Sequence, residues 1–288
     1  MNPFESVTAL EDATPLDRVA APVRAAVERL LGTGAVRDAL HGVWLGHPLH
    51  PVLVQVPIGA FMSAAILDVL PGEGKAADAL IATGILTSGS AAASGLADWS
   101  QLHEQQQRVG VVHAAANGVA LVFYGASLVA RRRGNRGAGK VWSMAGLGVL
   151  SFSGFLGGHL AFRQAGGANH AEAVPHLVPS GWQDLCALDD LAGDGVPQRK
   201  VLNSVPLLVV RREDHIDVLS DRCSHLSGPL HEGTVTDDGA CIVCPWHGST
   251  FSLDDGSVRR GPATAPQHAF DVRVRDGRLE VRLPGAAG

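Results

Sequence analysis

Three stretches of this chain, residues 79–97, 109–130 and 141–162, contain no Lys, Arg, Asp or Glu over about the length a helix needs to cross a bilayer. A fourth, 51–70, is interrupted only by Asp68. It follows Gly46-His47-Pro48-Leu49-His50-Pro51, where proline suits the first turn of a helix. A soluble helical bundle is the alternative, because residues 84–95 (GILTSGSAAASG) are only weakly hydrophobic. Two features oppose it. The runs are longer than soluble helices need, and small residues at close spacing let helices approach each other in lipid, where packing drives association. The sequence therefore predicts a four-helix transmembrane bundle over 43–168.

The flanks read differently. Residues 1–42 form a polar lead-in with acidic Glu5, Glu11, Asp12 and Asp17 and no apolar run of the signal-peptide kind. Within it, 22–32 (PVRAAVERLLG) predicts a short amphipathic helix ended by Gly32, expected to lie along a membrane surface. After the last span the composition turns to Gly, Ala and Pro over 163–180, and a linker is expected at 169–180. Beyond it, alternating runs at 206–211, 215–219, 240–243, 270–274 and 279–283, the last two flanking Asp276-Gly277, predict an all-β module over 181–288. The net charge of −5 sits in this second half, and no basic face invites nucleic acid.

Three of the four cysteines crowd into 22 residues, which is poor spacing for disulfides and good spacing for a metal site. Cys223-Ser224-His225 and Cys244-Pro245-Trp246-His247 each supply one thiolate and one imidazole. A [2Fe-2S] centre of mixed ligation needs two of each, with the cysteines on one iron and the histidines on the other. The competing reading is a zinc site built on Cys241-Ile242-Val243-Cys244. It leaves the paired loops unexplained, and Cys241 falls on an alternating strand. Cys241 and Cys186 are expected to be small core residues.

The stretches 223–229 (CSHLSGP) and 244–251 (CPWHGSTF), with Gly256 and Gly261-Pro262-Ala263, closely resemble Rieske ferredoxins over nearly all of 181–283. The resemblance implies an all-β Rieske (ISP-like) fold, so that the whole chain is a multidomain protein with a transmembrane α bundle before it. It also implies a cluster on Cys223, His225, Cys244 and His247, covered by a proline loop at Gly261–Pro266. Ser249, Phe251 and Pro262 then border the cofactor. Ser249 matches the serine that bonds a bridging sulfide in high-potential members, and Phe251 stands where those members carry a tyrosine. Hydrogen bonds to sulfur stabilise the reduced state, so the potential is expected inside, not at the top of, the roughly −150 to +300 mV Rieske range. The disulfide of quinol-oxidising relatives has no counterpart, because Pro229 or its neighbours and Trp246 occupy the matching positions. Only 41 residues follow His247, too few for the mononuclear-iron domain of Rieske oxygenases.

Residues 46–70, with Asp98-Trp99 and Gly157-Gly158 ahead of Arg163, resemble a bacterial four-helix membrane-domain family of unassigned function over about 40–168. With four spans, His47, His50, Asp98, His103, His113 and His159 are expected at the face that carries the Rieske domain. A haem b on His113 and His159, or a quinone, would suit such a face; the plainer reading is that these histidines cap helix ends. Lys75 and the loop 131–140 (RRRGNRGAGK) oppose Arg37, Arg108 and Arg163, which predicts a multi-pass protein of the cell membrane with its Rieske domain outside the cytoplasm. The expected function is a membrane-anchored carrier passing single electrons from a reductase or the quinone pool to an acceptor. Such a chain is a component of an oxidoreductase system more than a stand-alone enzyme. Its partners would be redox proteins, membrane lipid and possible quinone. The alternatives are a small membrane quinol oxidoreductase with haem or quinone in the bundle, and a redox or iron sensor.

Overall fold

A computed structural model describes residues 3–72, 74–212 and 215–285. The first residues of the lead-in and the last of the Rieske domain, as bounded from sequence, lie outside the described residues. The chain divides into two compact units, one of Met1–Thr33 with Leu49–Gly166, the other of Gly34–Pro48 with Gly167–Gly288. Helices α1 (Pro3–Glu11) and α2 (Asp17–Leu31) belong to the first unit, and α3 (Ala35–His41) to the second. Residues 34–48, which the sequence reading shares between lead-in and membrane domain, thus go with the β module.

In the first unit, α2 starts five residues before the expected amphipathic stretch and stops at Gly32, whose φ of 57° is the left-handed backbone that glycine supplies at a helix end. The lead-in is docked on the bundle, not left loose. Arg108 donates from Nε to Asp17 Oδ1 at 2.7 Å and from Nη2 to Oδ2 at 2.8 Å, and from Nη1 to the Glu11 carbonyl at 2.8 Å. The Arg108 hydrogen bond holds the Asp17 carboxyl below its ordinary range.

The four expected spans are α4 (Leu49–Leu53) running into α5 (Gln55–Val69), α6 (Gly74–Trp99), α7 (Glu104–Arg132), and α8 (Arg136–Gly158) continued by a π-turn at His159–Arg163. All four are long and apolar enough to cross a membrane. Their small residues do what close packing in lipid requires. A Cβ on Gly84 of α6 would sit 2.6 Å from the Phe61 ring, and Phe61 stacks on Tyr124 with centroids 3.7 Å apart. Glycine there lets the aromatic pair lie between helices. Large apolar side chains such as Ile66, Leu86, Val122 and Phe152 point outward.

Asp68, which interrupts the first apolar run, is buried against Arg131. Arg131 Nη1 donates to Asp68 Oδ1 at 2.8 Å and to Asp78 Oδ1 at 3.0 Å, and Arg136 also reaches Asp78. A charge inside a helical bundle persists only when paired, which is how this one is retained.

Among the described residues the second unit adds α9 (Val174–Leu177) and ten strands: β1 (Gln183–Ala187), β2 (Gln198–Leu202), β3 (Val205–Arg212), β4 (His215–Ser220), β5 (Thr234–Val235), β6 (Cys241–Val243), β7 (Thr250–Ser252), β8 (Val258–Arg260), β9 (Asp271–Arg275) and β10 (Arg278–Arg282). They form antiparallel sheets in the orders β1-β10-β9, β2-β3-β4 and β5-β6-β7-β8. Strand β3 is buried on both faces. Its Leu207 and Val209 join one core, and Leu208 and Val210 join a second that also holds Cys223, Cys244 and Phe251. The expected linker is part of this unit: Val174 and Val178 sit in the first core, and the Ala171 carbonyl bonds His268 Nε2 at 3.0 Å. Gly, Ala and Pro marked the absence of a long helix there, while two valines anchor the segment.

Candidate cluster-binding site

Two loops of the second unit come from different sheets, 221–233 after β4 and 244–249 within the β6–β7 hairpin. Ile242 faces Phe251 across that hairpin and fixes its register, so Cys244 leaves β6 on the buried side. Both loops make the same turn. The Cys223 amide donates to the Gly228 carbonyl at 2.9 Å and its carbonyl accepts from Ser227 at 2.8 Å; Cys244 repeats this with Ser249 at 2.8 Å and Gly248 at 3.1 Å. Ser227 and Gly248 both have positive φ, 63° and 75°. Asp221 braces the base of the first loop, its Oδ1 accepting from the His231 amide and its Oδ2 bonding His231 Nδ1, each at 2.8 Å.

The two loops bring the expected ligands together in pairs, cysteine with cysteine and histidine with histidine. All cysteines are free thiols, and Cys223 and Cys244 are hydrogen-bonded to each other. The His225 and His247 rings lie edge to face with centroids 5.1 Å apart. A Cβ on Gly228 would meet Cys244 Sγ at 2.8 Å and the Trp246 ring at 3.2 Å, so this residue must be glycine for the loops to close on each other. Within the thiol pair Cys244 is drawn down by the bond from Cys223, then by the backbone amides of Trp246 and His247. Cys223 is pushed up by the same bond and by burial. Backbone donors aimed at sulfur are what a thiolate site needs. A sulfur pair and an imidazole pair carried on the same two loops suit a [2Fe-2S] cluster of Rieske type.

Exposure is graded across the site. Cys223, Cys244 and His225 are buried, His247 is half-buried, and Pro245 and Trp246 are exposed. Ser249 is fully buried, and its Oγ accepts from the Ala263 amide at 3.0 Å, which ties the second loop to the Gly261–Pro266 loop and leaves the hydroxyl hydrogen for another acceptor. Phe251 and Pro262 are buried beside them.

Other expectations need correction. Cys241 is partly exposed on the face of β6 opposite Ile242 and Cys244, so Cys241 and Cys244 do not converge as a zinc pair, and of the two extra cysteines only Cys186 is core. The His113 and His159 pair is not arranged for a haem. His159 Nε2 bonds Glu11 Oε1 at 2.7 Å, while His113 uses Nδ1 on the Ser153 carbonyl at 2.8 Å and Nε2 on Asn117 at 3.1 Å. His103 caps α7, and His50 bonds the Ala91 carbonyl at 2.8 Å. These histidines close helix ends and join helices, as the plainer reading has it. Asp221, Ser224 and Asp38 were not foreseen, since their partners lie far along the chain and leave no periodic signal.

Comparison with known proteins agrees with this arrangement. Residues 181–274 match the Rieske [2Fe-2S] domain, and 46–170 match a family described as a predicted membrane protein (DUF2231). Ferredoxin CarAc of Metapseudomonas resinovorans is 33% identical over 100 residues, 35% of this chain and 92% of that protein. The anthranilate 1,2-dioxygenase ferredoxin subunit of Burkholderia cepacia is 32% identical over 102 residues, 35% of this chain and 92% of that one. The solved ferredoxin of carbazole 1,9a-dioxygenase from Nocardioides aromaticivorans IC177 is 29% identical, covering 36% of this chain and 99% of its own, with a TM-score of 0.34. The fold and its paired loops define an electron-transfer module carrying a [2Fe-2S] cluster. Through its C-terminal third the chain belongs to the Rieske family, and a helical membrane domain precedes that third.

Proposed function

We propose that this protein is a membrane-anchored electron carrier. Its cluster, held by Cys223, His225, Cys244 and His247, takes one electron at a time from a reductase or the quinone pool and passes it to an acceptor protein. The observation that supports the reading is the pairing of Cys223 with Cys244 and of His225 with His247 on two loops where His247, Pro245 and Trp246 are accessible. The cluster supplies the one-electron step. The chain's own residues exclude water from the sulfur side through Phe251, Ala263 and Pro262, and leave the imidazole side open for docking. One of the relatives is by name the ferredoxin subunit of anthranilate 1,2-dioxygenase, which supports an oxygenase-type acceptor. The quinol-oxidoreductase alternative needs a haem or quinone in the bundle, and a haem on His113 and His159 would first have to break the bonds those rings make. An anaerobic redox titration of the purified protein tests the reading: one electron per cluster and a Rieske-type paramagnetic signal support it, and a reconstituted protein without that signal ends it.

Ser249 and Phe251 set the potential within this proposal. A hydroxyl at the Phe251 ring position would add one hydrogen bond to a ligand sulfur. At about 1 to 1.5 kcal/mol, that raises the potential of Phe251→Tyr by about 40–60 mV in voltammetry. Ser249→Ala is expected to lower it by a similar amount. An unchanged Phe251→Tyr potential removes Phe251 from this position.

We further place the Rieske domain outside the cytoplasm, supported by the basic residues 131–140 at the opposite ends of the spans. That rule counts Lys and Arg and is little affected by acidic partners, so the pairing of Arg131 and Arg136 with Asp78 leaves it standing. Alkaline phosphatase fused after residue 288 is expected to be active and a fluorescent-protein fusion dark; the reverse pattern inverts the assignment.

A further inference from the structure

The Gly261–Pro266 loop is held by both ligand loops, through Ala263 N to Ser249 Oγ at 3.0 Å and through Ser224 Oγ to the Ala265 carbonyl at 2.7 Å. A third hold comes from 223 residues away. The Gly261 amide donates to Asp38 Oδ1 of α3 at 3.0 Å. Around it, a Cβ on Gly261 would lie 3.0 Å from Val43 Cγ2 and 3.4 Å from His41 Cδ2, and His41 is buried. Residues 34–48 therefore form a strap that belongs to the β unit, and the turn Val43–Leu45 also packs beside β8. In sequence this strap leaves α2 and runs directly into the first span, so the β unit is joined to the membrane domain at both ends of the bundle sequence.

We propose that this strap is part of the redox site and that Asp38 is a positioning residue for the loop covering the cluster. Its carboxylate fixes the peptide ahead of Pro262 and adds a negative charge on that side of the site. A charge-assisted bond to a backbone amide is stronger than a neutral one, and a fixed anion near a cluster disfavours the added electron. Deepening the electron-carrier reading, the inference rests on the cluster lying under this loop.

Asp38→Ala and Asp38→Asn in the full-length protein test it. In Asp38→Ala, exchange of the Gly261 amide with solvent is expected to accelerate about tenfold or more. In Asp38→Asn, whose Oδ1 still accepts, exchange should stay near the native rate. The reduction potential should rise in both variants, because both lose the charge. Native exchange and native potential in Asp38→Ala overturn the proposal, and so does loss of protection in Asp38→Asn equal to that in Asp38→Ala, since this would mark general unfolding of α3. The exchange measurement is also made without the cluster, so a native chain that binds none defeats the carrier reading while the hold of Asp38 on Gly261 is still decided.

Discussion

Cys244→Ser is expected to abolish the [2Fe-2S] chromophore, with iron falling from about two atoms per chain toward zero, whereas Cys241→Ser should keep the full complement. The two cysteines are three residues apart and chemically alike; their faces differ. Cys244 is buried with Ile242 and Phe251 and bonds Cys223, while Cys241 lies on the other side of β6 and half meets solvent. A serine hydroxyl is a hard donor in place of a soft thiolate and does not replace it at iron held by sulfur. It removes little volume, so the unit should stay folded by circular dichroism, which separates loss of the cluster from loss of the fold. Should Cys241→Ser lose the metal while Cys244→Ser keeps it, the C-x-x-C reading would be restored and the paired-loop assignment lost.

What the sequence made legible follows from how local the signals are. Three charge-free runs, a fourth broken only by Asp68, and two loops of seven or eight residues each carry their message within themselves. Span positions therefore needed no tertiary knowledge, and the ligand assignment rests on the two loops alone. Strands β1 and β2 were missed because Gln183-Asp184 and Gln198-Arg199-Lys200 open them with successive polar residues and the apolar Val201 is exposed, so neither reads as an apolar alternation. Strand β7 has three residues, all buried, too few to show a period. The docking of 169–180 through Val174 and Val178, the clamp of Arg108 on Asp17, and the bond from Gly261 to Asp38 join residues that lie tens to hundreds of positions apart. Helix-end histidines were ambiguous for a related reason. An imidazole that ligates and one that bonds a carbonyl look alike until the carbonyl is in place.

Arg131→Met is expected to destabilise the helical unit by about 3–5 kcal/mol, because it leaves a buried carboxylate without its guanidinium. The Arg131 side chain is 0% exposed and Asp68 is 3% exposed. Beyond its two carboxylates, Arg131 donates from Nε to Ser127 Oγ at 3.0 Å, so each of the three guanidinium nitrogens has a partner. Removing it leaves Asp68 buried with the Lys140 ammonium on its backbone carbonyl and no guanidinium for its carboxylate. The outer pair behaves differently. Arg136 and Asp78 are 42% and 30% exposed, and water screens them, so Arg136→Met should cost under about 1 kcal/mol. Replacing both inner partners, as Arg131→Met with Asp68→Leu, is expected to recover much of the single-variant loss, because the penalty lies in the unpaired buried charge more than in the pair's net attraction. Unfolding in detergent with a helix-sensitive probe, at matched cluster content, measures all three. Equal losses for Arg131→Met and Arg136→Met would mean that water reaches Asp68. An unrecovered double variant would instead mean that the ion pair itself, through its attraction across α5 and α7, holds these helix ends together.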